Sequence, residues 1–289
     1  LGNTVAPAKI YQQYGADVLR LWVAATDFRG EMTVSDEIFK RVADAYRRIR
    51  NTARFMLANL NGFVPEEDAL PSDQLLALDY WIVRQCQLLQ DEVVNHYHSY
   101  NFLSVYQKIH NFCVTELGGF YLDVIKDRQY TTQVDSRARR STQTAMLQVV
   151  EMLSRMIAPI LSFTADEIWQ HIPGDRVDSV FLSDFEEGHS ALEESGEFDD
   201  AFWRRILEVK TAVNRELEVQ RADKKVGSGL SAEVDLFCDG QLANDLARLG
   251  EELRFVLIVS RASVNSGTHA PGQAIATEVA GLTLRVTAS

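Results

Sequence analysis

Lys40, Arg47 and Arg54 recur at intervals of seven residues, with Arg50 and Asn51 beside them, in a segment that also holds Arg41 and Arg48 and only one acid, Asp44. Seven residues are two helical turns, so on a helix these side chains share a face. Guanidinium forks suit phosphate oxygens and guanine edges, and an asparagine amide pairs with a base edge, so the face has the chemistry of an RNA contact. A solvated amphipathic helix laced with salt bridges has the same composition. A second basic cluster runs from Lys126 to Arg140, with Lys126, Arg128, Arg137, Arg139 and Arg140 against Asp127 and Asp135. Its leading part, Tyr121 to Tyr130, carries tyrosines that either stack on unpaired bases or pack in a core. Arg47, Arg50, Asn51, Arg54, Lys126 and Arg128 are the candidate RNA contacts, followed by Lys224 and Lys225.

Other chemistry is scarce. No GxxxxGK[ST] or GxGxxG loop, HExxH pair or GxSxG elbow occurs, and no acid–base pair can be named, so no catalytic and no metal-ligating residues are expected. His96 and His98 are two apart and point to different faces of a helix, while His110, His171, His189 and His269 are isolated. Cys86, Cys113 and Cys238 form no CxxC pair and read as small buried hydrophobes in a reducing compartment. The 289 residues carry 29 basic and 41 acidic side chains, a net charge of −12, which taken whole disfavours a polyanionic partner. Asp184, Glu186, Glu187, Glu193, Glu194, Glu197, Asp199 and Asp200 supply −8 of that charge with no Lys or Arg among them. The rest is nearly balanced, so the basic clusters stand out. The tract itself reads as a solvated loop, a spacer, or a fence against phosphate.

The elements that must carry these residues are mostly helices. Residues 35–61 read as one amphipathic helix with Ser35 as N-cap, Asp36 and Glu37 in the first turn and Gly62 at the end. Its core stripe is Ile38, Val42, Ala45, Ile49, Ala53, Met56 and Leu60. A second helix, introduced by Pro71 and Ser72, carries Leu75, Leu78, Ile82, Cys86, Leu89 and Val93 inward. A third runs from Asn101 towards Lys126 through Gly118-Gly119, a pair expected to allow close packing on a neighbouring helix. A fourth, Asp135 to Ile157, buries Thr142, Ala145, Val149, Met152 and Met156. Thr164-x-x-Glu167 reads as a capping box opening a short helix closed by Pro173-Gly174. Such a series makes an antiparallel helical bundle. A last helix, 201–224, holds Trp203, Ile206, Val209, Val213 and Leu217 on one side. Beyond Gly227 the period becomes two: Leu230, Ala232, Val234 and Leu236 alternate with polar residues, as do Leu282, Leu284 and Val286. With a helical stretch at 242–249, an apolar run at 255–259 and a surface loop at 266–273, this is a small α/β subdomain. The fold expected is mainly α, a bundle followed by that subdomain. No run is apolar enough to span a membrane and no leader opens the chain, which starts at Leu1 as though excised from a longer protein.

Leu1-Gly-Asn-Thr-Val leading into Tyr14-Gly-Ala-Asp-Val-Leu-Arg-Leu-Trp22 resembles the sequence directly after the KMSKS loop of class I aminoacyl-tRNA synthetases. Tyr46-Arg-Arg-Ile-Arg-Asn-Thr-Ala-Arg-Phe55, Phe120-Tyr-Leu-Asp-Val-Ile-Lys-Asp-Arg-Gln-Tyr130, Ala158-Pro-Ile-Leu-Ser-Phe-Thr-Ala-Asp-Glu-Ile-Trp169 and Arg221-Ala-Asp-Lys-Lys-Val-Gly227 look like successive landmarks of the bacterial isoleucyl branch of that family. The resemblance covers essentially the whole chain. It implies a stem-contact segment over 1–34, a helical-bundle anticodon-binding domain over 35–200 and an α/β junction over 201–289. It also implies a partner, an isoleucine tRNA, with no DNA and no membrane, for a cytoplasmic monomer. In the parent, ATP and Mg²⁺ serve isoleucine activation, an inserted domain edits valine, and many members end in a zinc knuckle. Those parts lie outside this chain, which the resemblance therefore makes an inactive fragment without cofactor. The corresponding domain of a valyl or leucyl enzyme, and a helical protein-interaction module, are the alternatives.

Overall fold

Gly15, at φ +91°, is the hinge between two short helices, α1 (Pro7–Tyr14) and α2 (Ala16–Ala25), in the computed structural model of the chain, which describes residues 5–185, 192–193, 196–266 and 274–289. A left-handed φ of that size costs an L side chain energy that glycine avoids. The long helix α3 (Asp36–Asn59) follows, and the Ser35 hydroxyl accepts from the Ile38 amide at 3.2 Å, as a serine N-cap should. Ala45, Ile49, Ala53, Met56 and Leu60 are buried, but in the first turns Phe39 and Ala43 take the inward places expected of Ile38 and Val42. The reason is a second apolar stripe: Phe39 and Ala43 close a small core with Ile10 and Val18, against which Tyr14, Trp22 and Tyr46 pack.

Described contacts cluster into two compact units, Leu1–Glu193 and Glu194–Ser289. In the first, a one-turn α4 (Pro65–Asp68) leads to α5 (Ala77–His98), α6 (Phe102–Asn111), a π-helical stretch Phe112–Tyr121, two short helices α7 (Leu122–Val124) and α8 (Lys126–Thr131), and α9 (Arg137–Ile157). All the inward residues read from the second and fourth sequence segments are buried. Hydrogen bonds fix the directions. The Gln143 amide donates to the Asn59 carbonyl, so α9 begins where α3 ends. Leu76 N donates to the Ser141 hydroxyl and the Tyr97 hydroxyl to the Met156 carbonyl, so α5 and α9, not consecutive in the chain, lie side by side and parallel.

Two details depart from expectation. Gly118 and Gly119 are exposed, and a Cβ on Gly118 would sit 2.9 Å from the Cys113 carbonyl oxygen of its own helix. The pair therefore serves the widened π turn, whose carbonyls project five residues on, and not a neighbouring helix. Thr164 is not an N-cap either: α10 (Ser162–Trp169) starts before it. Asp17 of α2 caps that helix from 147 residues away, accepting from Thr164 N at 2.7 Å, Thr164 Oγ1 at 2.7 Å and Phe163 N at 3.4 Å. Arg20 adds bonds to the carbonyls of Ile160 and Pro159 at 2.8 and 2.9 Å.

The second unit opens with α11 (Asp200–Ala222), capped by Asp199 through the Phe202 amide at 2.6 Å. Its sheet has the order β2-β1-β4-β3, with β1 (Ala232–Cys238) parallel to β2 (Arg261–Ser266) and antiparallel to β4 (Thr283–Ala288), and β3 (Ile275–Ala276) on the edge. The parallel pair needs a crossover, which α12 (Gly240–Leu249) and α13 (Glu252–Leu257) provide. Ala232, Val234, Leu236, Leu282 and Leu284 are buried as their alternation requires, whereas Leu230 precedes the strand and is exposed. Gly229 is dictated by packing, since a Cβ there would lie 2.5 Å from the Ile258 carbonyl oxygen. Glu186, Glu187 and Glu194 of the acidic tract and most of the 266–273 loop lie outside the described residues.

Candidate nucleic-acid interface

On α3 the exposed arc carries Lys40, Arg41, Asp44, Arg47, Arg48, Asn51 and Arg54. Arg41 pairs with Glu37 and Arg47 with Asp44 along the helix, while Arg50, at the edge of the arc, reaches Glu167 of α10 at 3.1 Å. None of Lys40, Arg48 and Arg54 is paired with a carboxylate among the described residues. The strip therefore keeps three uncompensated cations with the Asn51 amide between them. Arg47 and Arg50 lie on that strip but are partly neutralised, and Lys40 and Arg48, outside the sequence-based candidates, share it. Arg48 also lies close enough to His110 of α6 for its charge to matter: partial burial, reinforced by that guanidinium, holds the imidazole below its usual range.

The α8 candidates part company. Lys126 is half-exposed and pairs with Asp123 at 2.7 Å, and Tyr130 is 69% exposed, open to stacking rather than in the core. Arg128, expected at the RNA surface, is instead in the core: it is 2% exposed, faces inward, and its Nη1 lies 3.4 Å from Oδ2 of Asp79, itself fully buried. It cannot offer its fork to RNA. In the second unit Lys225 pairs with Asp223 at 3.0 Å, and Lys224 is exposed at φ +58° just past the end of α11.

Among the described residues, no three His, Cys, Asp or Glu side chains are grouped to hold a metal ion, and no helix is long and apolar enough to cross a membrane. All three cysteines are free and buried, and burial pushes their thiols up, Cys113 to about 12. They offer no nucleophile. What the geometry offers is a cationic strip with an exposed amide on α3 and, on α8, an exposed ammonium and an exposed aromatic ring.

Comparison with known proteins gives this surface a context. Residues 79–236 match the family described as the anticodon-binding domain of tRNA ligase. That span contains Lys126 and Tyr130 and begins after α3. Over all 289 residues the chain is 58% identical to the isoleucine–tRNA ligases of Pseudomonas fluorescens (strain Pf0-1) and Pseudomonas putida (strain W619), and it spans 31% of the length of each. Identity to the isoleucine–tRNA ligase of Ectopseudomonas mendocina (strain ymp) is 57% over 286 residues, or 30% of that protein. Among solved structures, the ternary complex of Agrobacterium radiobacter K84 LeuRS, tRNA and LeuAMS is similar with a TM-score of 0.43 at 18% identity, over 62% of this chain and 20% of that one.

Proposed function

Because the chain belongs to the family of anticodon-binding domains of tRNA ligases, we propose that it is the tRNA-reading part of an isoleucine–tRNA ligase. It grips the anticodon stem and loop so that the acceptor end reaches a catalytic domain elsewhere in a longer protein. The observation that carries this reading is the row of three cations, Lys40, Arg48 and Arg54, that pair with no carboxylate among the described residues, on the exposed face of α3 in a chain whose net charge is −12. A cationic strip survives on an acidic protein where a polyanion is to be held. Isoleucine as the amino acid rests on the 58% identity to ligases of that name. A monomeric state, a cytoplasmic location, and the placing of ATP, Mg²⁺ and zinc chemistry outside these residues belong to the same reading.

The test is direct. Titrate the chain with an isoleucine tRNA transcript, and with the same transcript carrying an unrelated anticodon, at several salt concentrations. Binding that weakens steeply with salt, and that weakens further when the anticodon is exchanged, is the expected result. Absent or salt-independent binding would refute the reading and favour a protein-interaction module. Equal binding of both transcripts would limit the chain to a non-specific clamp.

A further inference from the structure

Lys126, Arg128 and Tyr130 are spaced by two residues on a helix of six, so Lys126 and Tyr130 share the exposed side and Arg128 lies opposite, in the core. A helix this short has no stability of its own and takes its orientation from whatever holds it. Buried neighbours such as Ile125 and Gln129 anchor it, and the charged partner on its inward side is Asp79, in the first turn of α5. Its Oδ2 lies 3.4 Å from Arg128 Nη1 and accepts from Ser141 Oγ at 2.6 Å and Thr142 Oγ1 at 3.4 Å, while its Oδ1 accepts from Tyr121 Oη at 2.7 Å. One fully buried carboxylate thus ties α5, the end of the π-helical stretch, α8 and the first turns of α9 together. Burying an ion pair is costly, and apolar side chains would have packed the site at least as well. What an apolar contact lacks is direction. An arginine held by a fixed carboxylate sets the rotation of its helix about its own axis, as buried polar groups set register elsewhere.

Building on the RNA-binding reading above, we infer that Asp79, acting through Arg128, is a positioning residue for RNA contact: it fixes the roll of α8 so that the Lys126 ammonium and the Tyr130 ring are presented together to one stretch of RNA. Neither Asp79 nor Arg128 touches the nucleic acid. Their effect on affinity passes entirely through the two residues on the other side of the helix.

The experiment measures binding of an isoleucine tRNA transcript to the 289-residue chain and its variants, with folding checked by circular dichroism. Lys126→Ala/Tyr130→Ala loses one phosphate contact and one stacking surface, a loss on the order of tenfold or more. Asp79→Asn, which keeps the shape and removes the charge that holds Arg128, is expected to lose about as much and to lower the salt slope by roughly one phosphate equivalent. Combining it with Lys126→Ala/Tyr130→Ala should cost nothing further, whereas adding Arg54→Ala to Asp79→Asn should cost its full amount. Should Asp79→Asn not fold, Tyr121→Phe and Ser141→Ala each remove a single bond to the carboxylate, and their smaller losses must show the same non-additivity. A folded Asp79→Asn chain that binds as tightly as the unaltered one overturns the inference. So do losses that multiply with those of Lys126 and Tyr130. If the unaltered chain shows no salt-dependent tRNA binding, it is the RNA reading itself that fails.

Discussion

Asp44 sits in the middle of the cationic strip. On the helix its neighbours are Lys40 one turn before, Arg47 and Arg48 one turn after, and Asn51 two turns on, and its carboxylate engages Arg47. Replacing it by asparagine, Asp44→Asn, should therefore strengthen RNA binding, a gain from a surface mutation. The magnitude follows from the geometry. Freeing Arg47 raises the uncompensated cations on the strip from three, Lys40, Arg48 and Arg54, by one. Each phosphate neutralised contributes about 0.7 to 0.9 to the slope of log affinity against log salt, so at 0.1 M salt one more contact is worth roughly five- to eightfold. Folding stability should hardly change, since exposed pairs are worth at most about 1 kcal/mol. Fluorescence anisotropy of a labelled isoleucine tRNA transcript between 50 and 300 mM salt reads both quantities. An unchanged slope, or weaker binding by Asp44→Asn, would refute the claim that α3 meets the RNA through this arc.

Two more expectations concern the scaffold. Asp17→Ala leaves the Thr164 and Phe163 amides without this acceptor and the Thr164 hydroxyl with only Tyr46, and urea denaturation should show a loss of about 1 to 3 kcal/mol, more than an ordinary surface change produces. Because burial raises the thiols of Cys86 and Cys113, the latter to about 12, both remain protonated at pH 8, and a thiol reagent should label neither in the native chain while labelling both at once in denaturant.

The sequence period finds one inward side of α5 and its approach, since Leu75, Leu78, Ile82, Cys86, Leu89 and Val93 are all buried, but it misses Trp81 and Val83, which are buried because α5 packs on both α6 and α9. α3 meets partners on two sides, so its period blurs, and Phe39 and Ala43 become visible only once α1 and α2 are in place. Thr164 and Glu167 have the spacing of a capping box, but the acceptor that caps α10 is Asp17, and no local pattern reveals a partner so distant. Gly118-Gly119 signals an irregular helix without saying that the irregularity is a π turn. At the interface, the seven-residue spacing of Lys40, Arg47 and Arg54 does find an exposed face. Arg128 was legible as an outlier, because two-residue spacing from both Lys126 and Tyr130 sends it to the far side of α8 by the reasoning that separates His96 from His98. Its type, a basic residue in a basic cluster, concealed what its position disclosed. Which cations keep their charge free depends on the rotamers of neighbouring acids, and those belong to the three-dimensional arrangement.

The bond between Asp17 and Thr164 also orders events on the ribosome. A ribosome adding 5 to 20 residues per second needs roughly 7 to 30 s to cover the 147 residues between them. Through that interval α2 can settle on α3, which emerges soon after it, while the carboxylate remains hydrated and uncommitted. The last helix of the bundle is therefore completed only when a part made early is already waiting for it, and truncation before Thr164 should leave a nascent chain that is helical yet unlatched.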